Sequence, residues 1–147
     1  DLHASLAPSE MCIRDRRKAE IIKAALTRTH TDPNDPERLL AALGGPEFAV
    51  LAGVCLGAAE AGSPVVLDGL ATSVAALIAT KFSPGLHGWL VASQASREQV
   101  HHIVLAELGL EALMELRMRA GEGVGACFGA QMILTGLQVR RTAARTC

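Results

Sequence analysis

The fold is decided by the stretch Ser63-Pro64-Val65-Val66-Leu67-Asp68-Gly69. A Val-Val-Leu run after proline is typical of a short buried strand, and Asp-Gly is typical of its end. A helix is predicted next, over residues 70–81, and a second short strand over residues 89–92, which ends at Ser93. Strand–helix–strand order implies a right-handed crossover between two parallel strands. The stretch therefore predicts an α/β fold.

Polar residues follow both predicted strands. Asp68-Gly69 comes after the first strand, and residues 93–96 come after the second. The carboxyl ends of neighbouring parallel strands lie at one edge of a sheet, where ligands of such folds bind. The two segments are therefore expected to lie side by side and to form part of a site.

The rest of the chain has mainly helical patterns. Helices are predicted over residues 17–29, 37–43, 46–61, 97–108 and 126–139, with a helical turn over residues 113–118. Asn34 or Asp35 can cap the second of these helices. The third is apolar on all sides, which predicts burial. Glu47 is interpreted as a first-turn carboxylate that faces the helix dipole.

Composition narrows the possible functions. The 147 residues are 50% hydrophobic with a mean hydropathy of +0.28, enough for one domain, or a piece of one, with a sizeable core. A net charge of −1 provides no overall field to attract nucleic acid or an anionic membrane. The longest charge-free apolar run, residues 48–59, is shorter than the ~20 residues of a membrane span.

The cysteines favour a reducing compartment. Four cysteines lie far apart without metal-ligand spacing, so no metal site is predicted from them. Cys55 and Cys127 lie in apolar helical patterns and are expected to be buried. No signal peptide is evident. A cytoplasmic location is predicted.

The first sixteen residues look foreign to the rest. The run Met11-Cys12-Ile13-Arg14-Asp15-Arg16 resembles the translation of a transposon end used in sequencing libraries. Residues 1–16 are interpreted as a non-native leader, and the alternative is an ordinary polar, amphipathic start. Residues 17–147 are then native sequence that belongs to a truncated open reading frame.

A single carboxylate stands between glycines in the stretch 118–126, just before an apolar helix. Glycine can take positive φ and lets a ligand come close to the backbone. The N–H groups at a helix start favour anionic groups. Glu122 is therefore either an acidic cap of the helix or a base aimed at a bound ligand.

Four motifs occur in a fixed order along the chain. They are Gly44-Gly45-x-Glu47, Pro64-Val65-Val66-Leu67-Asp68-Gly69, Ala92-Ser93-x-x-Ser96-x-Glu98 and Met118-Arg119-x-Gly121-Glu122-Gly123-x-Gly125-Ala126. Together they resemble the C-terminal part of the nicotinate-nucleotide–dimethylbenzimidazole phosphoribosyltransferase family, over about residues 17–139. That family makes the lower-ligand nucleotide of cobalamin. The resemblance implies a Rossmann-like parallel sheet with flanking helices, a homodimer, and no metal or other cofactor.

The resemblance also assigns roles to residues. It implies that Glu122 is the catalytic base, which takes a ring N–H proton from the benzimidazole as the phosphoribosyl group of nicotinate mononucleotide is transferred. Substrate contacts are implied for five further residues: Lys18 at the phosphate, Asp68 and Gly69 bordering the ribosyl site, Ser96 near the ribose phosphate, and Gly121.

Alternatives remain for three of these contacts. Lys18 is otherwise a solvated helix lysine. Asp68 is otherwise a cap for the helix that follows it, and Ser96 a plain N-cap for a helix starting at Arg97.

The chain also departs from the family pattern. Gln94 stands where the family usually has histidine, Val100 where it has glycine, and Leu70 where an aromatic residue is common. These departures affect the expected substrate base more than the reaction. A piece without its N-terminal half is expected to be inactive. Two other classes stay open: a non-catalytic α/β ligand-binding or interaction module, and another nucleotide-binding transferase.

Overall fold

The computed structural model describes residues 8–30, 32, 34–116 and 121–143, with side chains from residue 16 onward. Its elements are α1 (Pro8–Thr29), α2 (Pro36–Leu43), α3 (Pro46–Glu60), β1 (Val65–Leu67), α4 (Leu70–Phe82), a 3-10 helix (Pro84–Trp89), β2 (Leu90–Ala92), α5 (Gln99–Glu107) and α6 (Val124–Thr142). The chain divides into two compact units, residues 1–44 and 45–147. Each is described by itself.

The first unit contains α1 and α2. The Asp35 carboxylate accepts the backbone N–H of Arg38 at 3.0 Å, and Pro36 occupies the first turn of α2. Of the two predicted candidates, Asn34 and Asp35, it is therefore Asp35 that caps the N-terminus of α2. The helix predicted over residues 17–29 is present, but α1 already begins at Pro8. The interpretation of residues 1–16 as a leader stays a prediction.

The second unit contains the sheet. β1 and β2 pair in parallel, with Val65 opposite Leu90 and Leu67 opposite Ala92. The chain passes from β1 to β2 through α4 and the 3-10 helix. The predicted α/β fold is thereby confirmed.

A third extended segment lies beside β2, where a helical turn was predicted over residues 113–118. Leu113 and Met114 donate their N–H groups to the carbonyls of Ala92 and Ser93, both at 3.0 Å, and Met114 forms a parallel bridge with Gln94. The prediction is wrong for residues 113–116, because the sheet edge satisfies the backbone groups of Leu113 and Met114 and overrides helix propensity. Residues 117–120 lie outside the described part.

The core of the second unit surrounds α4, which contacts both α3 and α5. Small side chains on α4 let its neighbours approach closely; Ala75, Ala76 and Ala79 are fully buried. Leu67 of β1 and Leu90 of β2 are also buried there. Truncating a leucine in such a core typically costs about 2–5 kcal/mol.

Burial of α3 is one-sided. Ala52 and Cys55 are buried, whereas Val50 and Val54 are 64% and 57% exposed. The prediction of burial on all sides is wrong, because only the face towards α4 and the sheet is covered by described residues. Cys55 is buried as predicted, whereas Cys127 is exposed on α6, so that prediction is wrong.

Three element boundaries also differ from the predictions. β2 begins at Leu90, because Trp89 ends the 3-10 helix. α5 begins at Gln99 after an N-cap at Glu98. α6 begins at Val124 rather than residue 126 and continues to Thr142, since its first turn receives a cap from a distant residue.

Candidate active site

The carboxyl ends of β1 and β2 meet as predicted. Ser93, directly after β2, donates its backbone N–H to the Leu67 carbonyl at 3.0 Å. Its hydroxyl donates to the same carbonyl at 2.5 Å. Ser93 has no exposed surface, so these bonds lie in a dry environment. They fix the loop after β2 against the segment that begins at Asp68.

Asp68 does not cap the helix that follows it. Thr72 does so: its hydroxyl accepts the N–H groups of Asp68 and Gly69, at 3.0 and 3.1 Å, and donates to the Gly69 carbonyl. The interpretation of Asp68 as a cap for α4 is therefore wrong. This role of Thr72 was not predicted, although threonine four residues after a strand-ending aspartate is a usable signal for a helix start.

The Asp68 carboxylate instead caps α6. One oxygen, Oδ1, accepts the Ala126 N–H at 3.1 Å, and the other, Oδ2, accepts the Gly123 N–H at 3.3 Å. A carboxylate at this position is stabilised by the unpaired N–H groups and the dipole of the helix start. Asp68 thus connects the end of β1 to the start of the last helix.

Glu122 lies in the turn that precedes α6. The φ angles of Gly121, Glu122 and Gly123 are +64°, +56° and +82°, so three consecutive residues have positive φ. The Val124 N–H donates to the Gly121 carbonyl at 3.1 Å and closes the turn. The expectation of positive φ at these glycines is confirmed. A glutamate in the left-handed backbone region is unusual, and this conformation costs about 1–2 kcal/mol.

The Glu122 side chain is exposed, and its carboxylate has no hydrogen-bond partner among the described residues. Because Asp68 holds the helix start, the acidic cap of α6 comes from another residue. Of the two interpretations of Glu122, the capping role is therefore filled by Asp68, and the carboxylate of Glu122 stays available to a ligand.

Helix α6 packs closely on the strand ends through two glycines. A Cβ at Gly125 would lie 2.5 Å from Nε2 of Gln94 and 2.7 Å from Oδ1 of Asp68. A Cβ at Gly129 would lie 2.6 Å from Cβ of Ser93. A Cβ at Gly125 would therefore displace the Gln94 and Asp68 side chains, whereas at Gly129 it would overlap the Ser93 backbone, so glycine lets the helix come this near to the sheet.

Gln94 is buried at this contact. It is 6% exposed, and its Oε1 has no hydrogen-bond partner in the described part of the chain. The residue is the one that departs from the family's usual histidine. The structure therefore places that departure beside Asp68 and the start of α6.

The loop between β2 and α5 is held by a buried histidine. Nδ1 of His101 accepts the Ser96 N–H at 3.0 Å, and its Nε2 lies 3.0 Å from the Ser73 hydroxyl on α4. Because Nδ1 accepts, the neutral ring carries its proton on Nε2 and donates it to Ser73. Burial lowers the pKa of His101; the neighbouring His102 adds to the shift, whereas Glu98 and Asp68 oppose it.

Ser96 therefore has a defined place, different from the plain N-cap that the sequence allowed. Its hydroxyl accepts the Glu98 N–H at 3.2 Å within the loop, while Glu98 itself is the N-cap of α5. His101 is buried and His102 exposed, which confirms that the two rings point to different faces. The role of the His101 ring in holding this loop was not predicted, since its partner Ser73 lies 28 residues away in sequence.

Lys18 lies on α1 in the first unit, where it is exposed. Its predicted contact with a phosphate stays a prediction. Within the described ranges there is no group of three or more His, Cys, Asp or Glu side chains that could hold a metal ion. None of the described helices combines the length and apolar character that a membrane span requires.

An open groove of about 500 Å³ lies elsewhere in the second unit, between α5 and residues 110–115. Neither Asp68, Ser96 nor Glu122 lines it. The candidate site is instead the edge formed by the ends of β1 and β2 and the turn before α6, at which Glu122 is exposed.

The fold and this edge define a class of protein. A family model described as phosphoribosyltransferase matches residues 14–146, which is most of the chain. The chain is therefore a phosphoribosyltransferase family member.

The similar proteins narrow the class further. Nicotinate-nucleotide–dimethylbenzimidazole phosphoribosyltransferases from Desulforudis audaxviator and Salinispora tropica are 40% and 44% identical to it over 84% of this chain. The alignments cover 35% and 34% of those two proteins. The chain belongs to this family, and it spans about a third of the length of these curated relatives.

A solved structure agrees with the sequence matches. The crystal structure of CobT from Thermus thermophilus superposes with a TM-score of 0.81 at 37% identity. The match covers 88% of this chain and 38% of that one. The arrangement of helices and parallel strands described above is therefore the arrangement of the corresponding part of that protein.

Proposed function

We propose that the full-length protein transfers the phosphoribosyl group of nicotinate mononucleotide to 5,6-dimethylbenzimidazole or a related base. The products are α-ribazole 5'-phosphate and nicotinate, in the synthesis of the lower ligand of cobalamin. The observation that carries the proposal is the position of Glu122. It is an exposed carboxylate on a turn with positive φ, at the edge of a parallel sheet where ligands of such folds generally bind, in a member of this family.

The proposed chemistry needs one base. As one benzimidazole nitrogen forms a bond to the anomeric carbon of the ribose, the bond from that carbon to the nicotinate nitrogen breaks. Its electron pair returns to the pyridinium ring, which leaves as nicotinate. The N–H proton of the other benzimidazole nitrogen passes to the Glu122 carboxylate. Attack opposite the leaving group converts a β-nucleotide into an α-riboside.

The open backbone of two glycines supports the proposed substrate contacts. A Cβ at Gly69 or Gly121 would meet no atom within 4 Å, so a ribosyl or base ring can come close to the chain at both. Ser96 lies in the loop after β2, held by His101. In the proposal Ser96 lies near the ribose phosphate and Asp68 borders the ribose, while the phosphate contact of Lys18 is carried over from the family alone.

The proposal extends to the whole protein. We place it in the cytoplasm as a homodimer with a Rossmann-like sheet that acts on these two small-molecule substrates without a metal or other cofactor. The 147-residue chain by itself is expected to be inactive, because its matched part covers only 35% of the first of these curated relatives. Turnover by the chain in isolation would refute that part, and light scattering of the full-length protein tests the dimer.

The test is an assay of the full-length protein with nicotinate mononucleotide and 5,6-dimethylbenzimidazole. Mass spectrometry should detect α-ribazole phosphate and free nicotinate in equal amounts. Glu122→Gln should abolish both while the far-UV circular dichroism stays unchanged. Glu60→Gln, at an exposed glutamate at the end of α3, is the matched control and should keep wild-type turnover.

Two outcomes would contradict the proposal. A folded wild-type protein that binds these substrates without turnover would favour the non-catalytic binding module. Product formation that survives in Glu122→Gln would leave the reaction standing and remove Glu122 as its base.

A further inference from the structure

The turn that carries Glu122 is unstable by itself. Three consecutive residues have positive φ, and the middle one is not glycine. A side chain in this region costs about 1–2 kcal/mol, so such a turn persists only where its surroundings hold it. Glu122 is also exposed, which means that packing of its own side chain does not fix its direction. Something else must hold the turn.

The Asp68 carboxylate makes the contacts that do so. Its two oxygens accept the N–H groups of Gly123 and Ala126, which lie immediately after Glu122 and in the first turn of α6. These partners are 55 and 58 residues away in sequence. A charged acceptor makes these bonds stronger than neutral ones.

Asp68 is itself firmly held. It follows β1 directly, its N–H donates to the Thr72 hydroxyl, and its carbonyl lies 3.4 Å from the hydroxyl of Ser93. The backbone that carries the carboxylate is therefore fixed by the sheet and by α4. Any displacement of this side chain would be transmitted to the turn through two backbone bonds.

From this geometry we infer that Asp68 is a positioning residue for the catalytic base: it aims Glu122 at the substrate by holding the backbone on the C-terminal side of it. The inference rests on the proposed function. It differs from the role of Asp68 at the ribose, because it acts on the chemical step rather than on substrate affinity. A misplaced base lowers kcat, whereas loss of a ribose contact raises KM for nicotinate mononucleotide.

The test compares Asp68→Asn with wild type in the full-length protein. Asparagine keeps the size of the side chain and one acceptor oxygen, but its amide cannot accept the second N–H and carries no charge. We expect kcat to fall roughly tenfold or more, a larger change than any rise in KM for nicotinate mononucleotide that a lost ribose contact produces. Hydrogen–deuterium exchange of the peptide spanning residues 121–130 should become faster.

Asp35→Asn is the matched control. Asp35 also caps a helix, by accepting the Arg38 N–H at the start of α2. If loss of a cap acted only through general stability, both variants would behave alike. We expect Asp35→Asn to lose a comparable amount of stability and to keep the kcat of wild type. Where Asp68→Asn fails to fold, Asp68→Glu replaces it, since it keeps the charge and moves the oxygens by one methylene.

Three results would overturn the inference: kcat of the Asp68 variant within about twofold of wild type, a raised KM with kcat intact, or unchanged exchange in residues 121–130. Failure of the proposed function looks different. In that case wild type forms no product with any benzimidazole, while the exchange experiment still reports whether Asp68 holds the turn.

Discussion

Replacing Gly129 with alanine probes the contact between α6 and the sheet. In an exposed helix, Gly→Ala stabilises by about 0.5–1 kcal/mol, because it reduces the backbone entropy of the unfolded chain. At Gly129 the added methyl would lie 2.6 Å from Cβ and 3.2 Å from Cα of Ser93. Ser93 is fixed by its bonds to the Leu67 carbonyl, so it cannot move aside, and overpacking of this kind costs about 1–3 kcal/mol.

Gly136 supplies the control on the same helix. A Cβ there would meet no atom within 4 Å, so Gly136→Ala receives the entropic gain without the crowding. The difference in unfolding free energy between the two variants therefore isolates the crowding term, about 1–3 kcal/mol. Thermal denaturation of the purified protein should show Gly129→Ala melting several degrees below Gly136→Ala, at roughly 2–4 °C per kcal/mol.

Equal melting temperatures for the two variants, both above wild type, would refute the reasoning. They would mean that α6 is not seated on Ser93 as the structure has it. A lower melting temperature for both would instead show that α6 depends on contacts outside the described residues.

Three further predictions concern single side chains. Cys127 should react with iodoacetamide in the native protein, whereas Cys55, whose pKa is raised by burial, should react only after unfolding; peptide mapping distinguishes them. The unfolding free energy should fall as the pH drops below 6.5 and level off below the lowered pKa of His101, because in this range the unfolded chain binds a proton that the folded chain excludes. Denaturant titrations at several pH values test this prediction, and the fall should be smaller in His101→Gln than in wild type. Glu122→Gly should relieve the backbone strain at this positive φ, so the melting temperature should equal or exceed that of wild type while product formation is lost. A clear drop in melting temperature would contradict the strain argument.

The sequence predicted those features that depend on local patterns. The apolar runs before Asp68 and Ser93 predicted two adjacent parallel strands, and the glycines around Glu122 predicted positive φ. Both follow from a few consecutive residues whose preferences agree with the final structure.

Other features depend on partners far away along the chain. Asp68 binds N–H groups 55 and 58 residues downstream, and no local pattern distinguishes it from a cap for the next helix. The buried position of His101 depends on its hydrogen bond with Ser73. The extended conformation at Leu113 and Met114 depends on hydrogen bonds to the open edge of β2. In each case a backbone or polar group found its partner through tertiary contact, which overrides local propensity.

The glycines between residues 121 and 129 serve two separate physical needs. Gly121 and Gly123 have positive φ, yet a Cβ on either would touch nothing, so they are required for their dihedral angles. Gly125 and Gly129 lie within α6, but a Cβ on either would overlap the ends of the strands, so they are required for space. The first pair turns the chain so that Glu122 stays exposed, and the second pair brings the N-terminus of α6 within reach of Asp68. Together the two pairs hold the Glu122 carboxylate at the edge of the sheet, which accounts for the glycine-rich stretch around this glutamate.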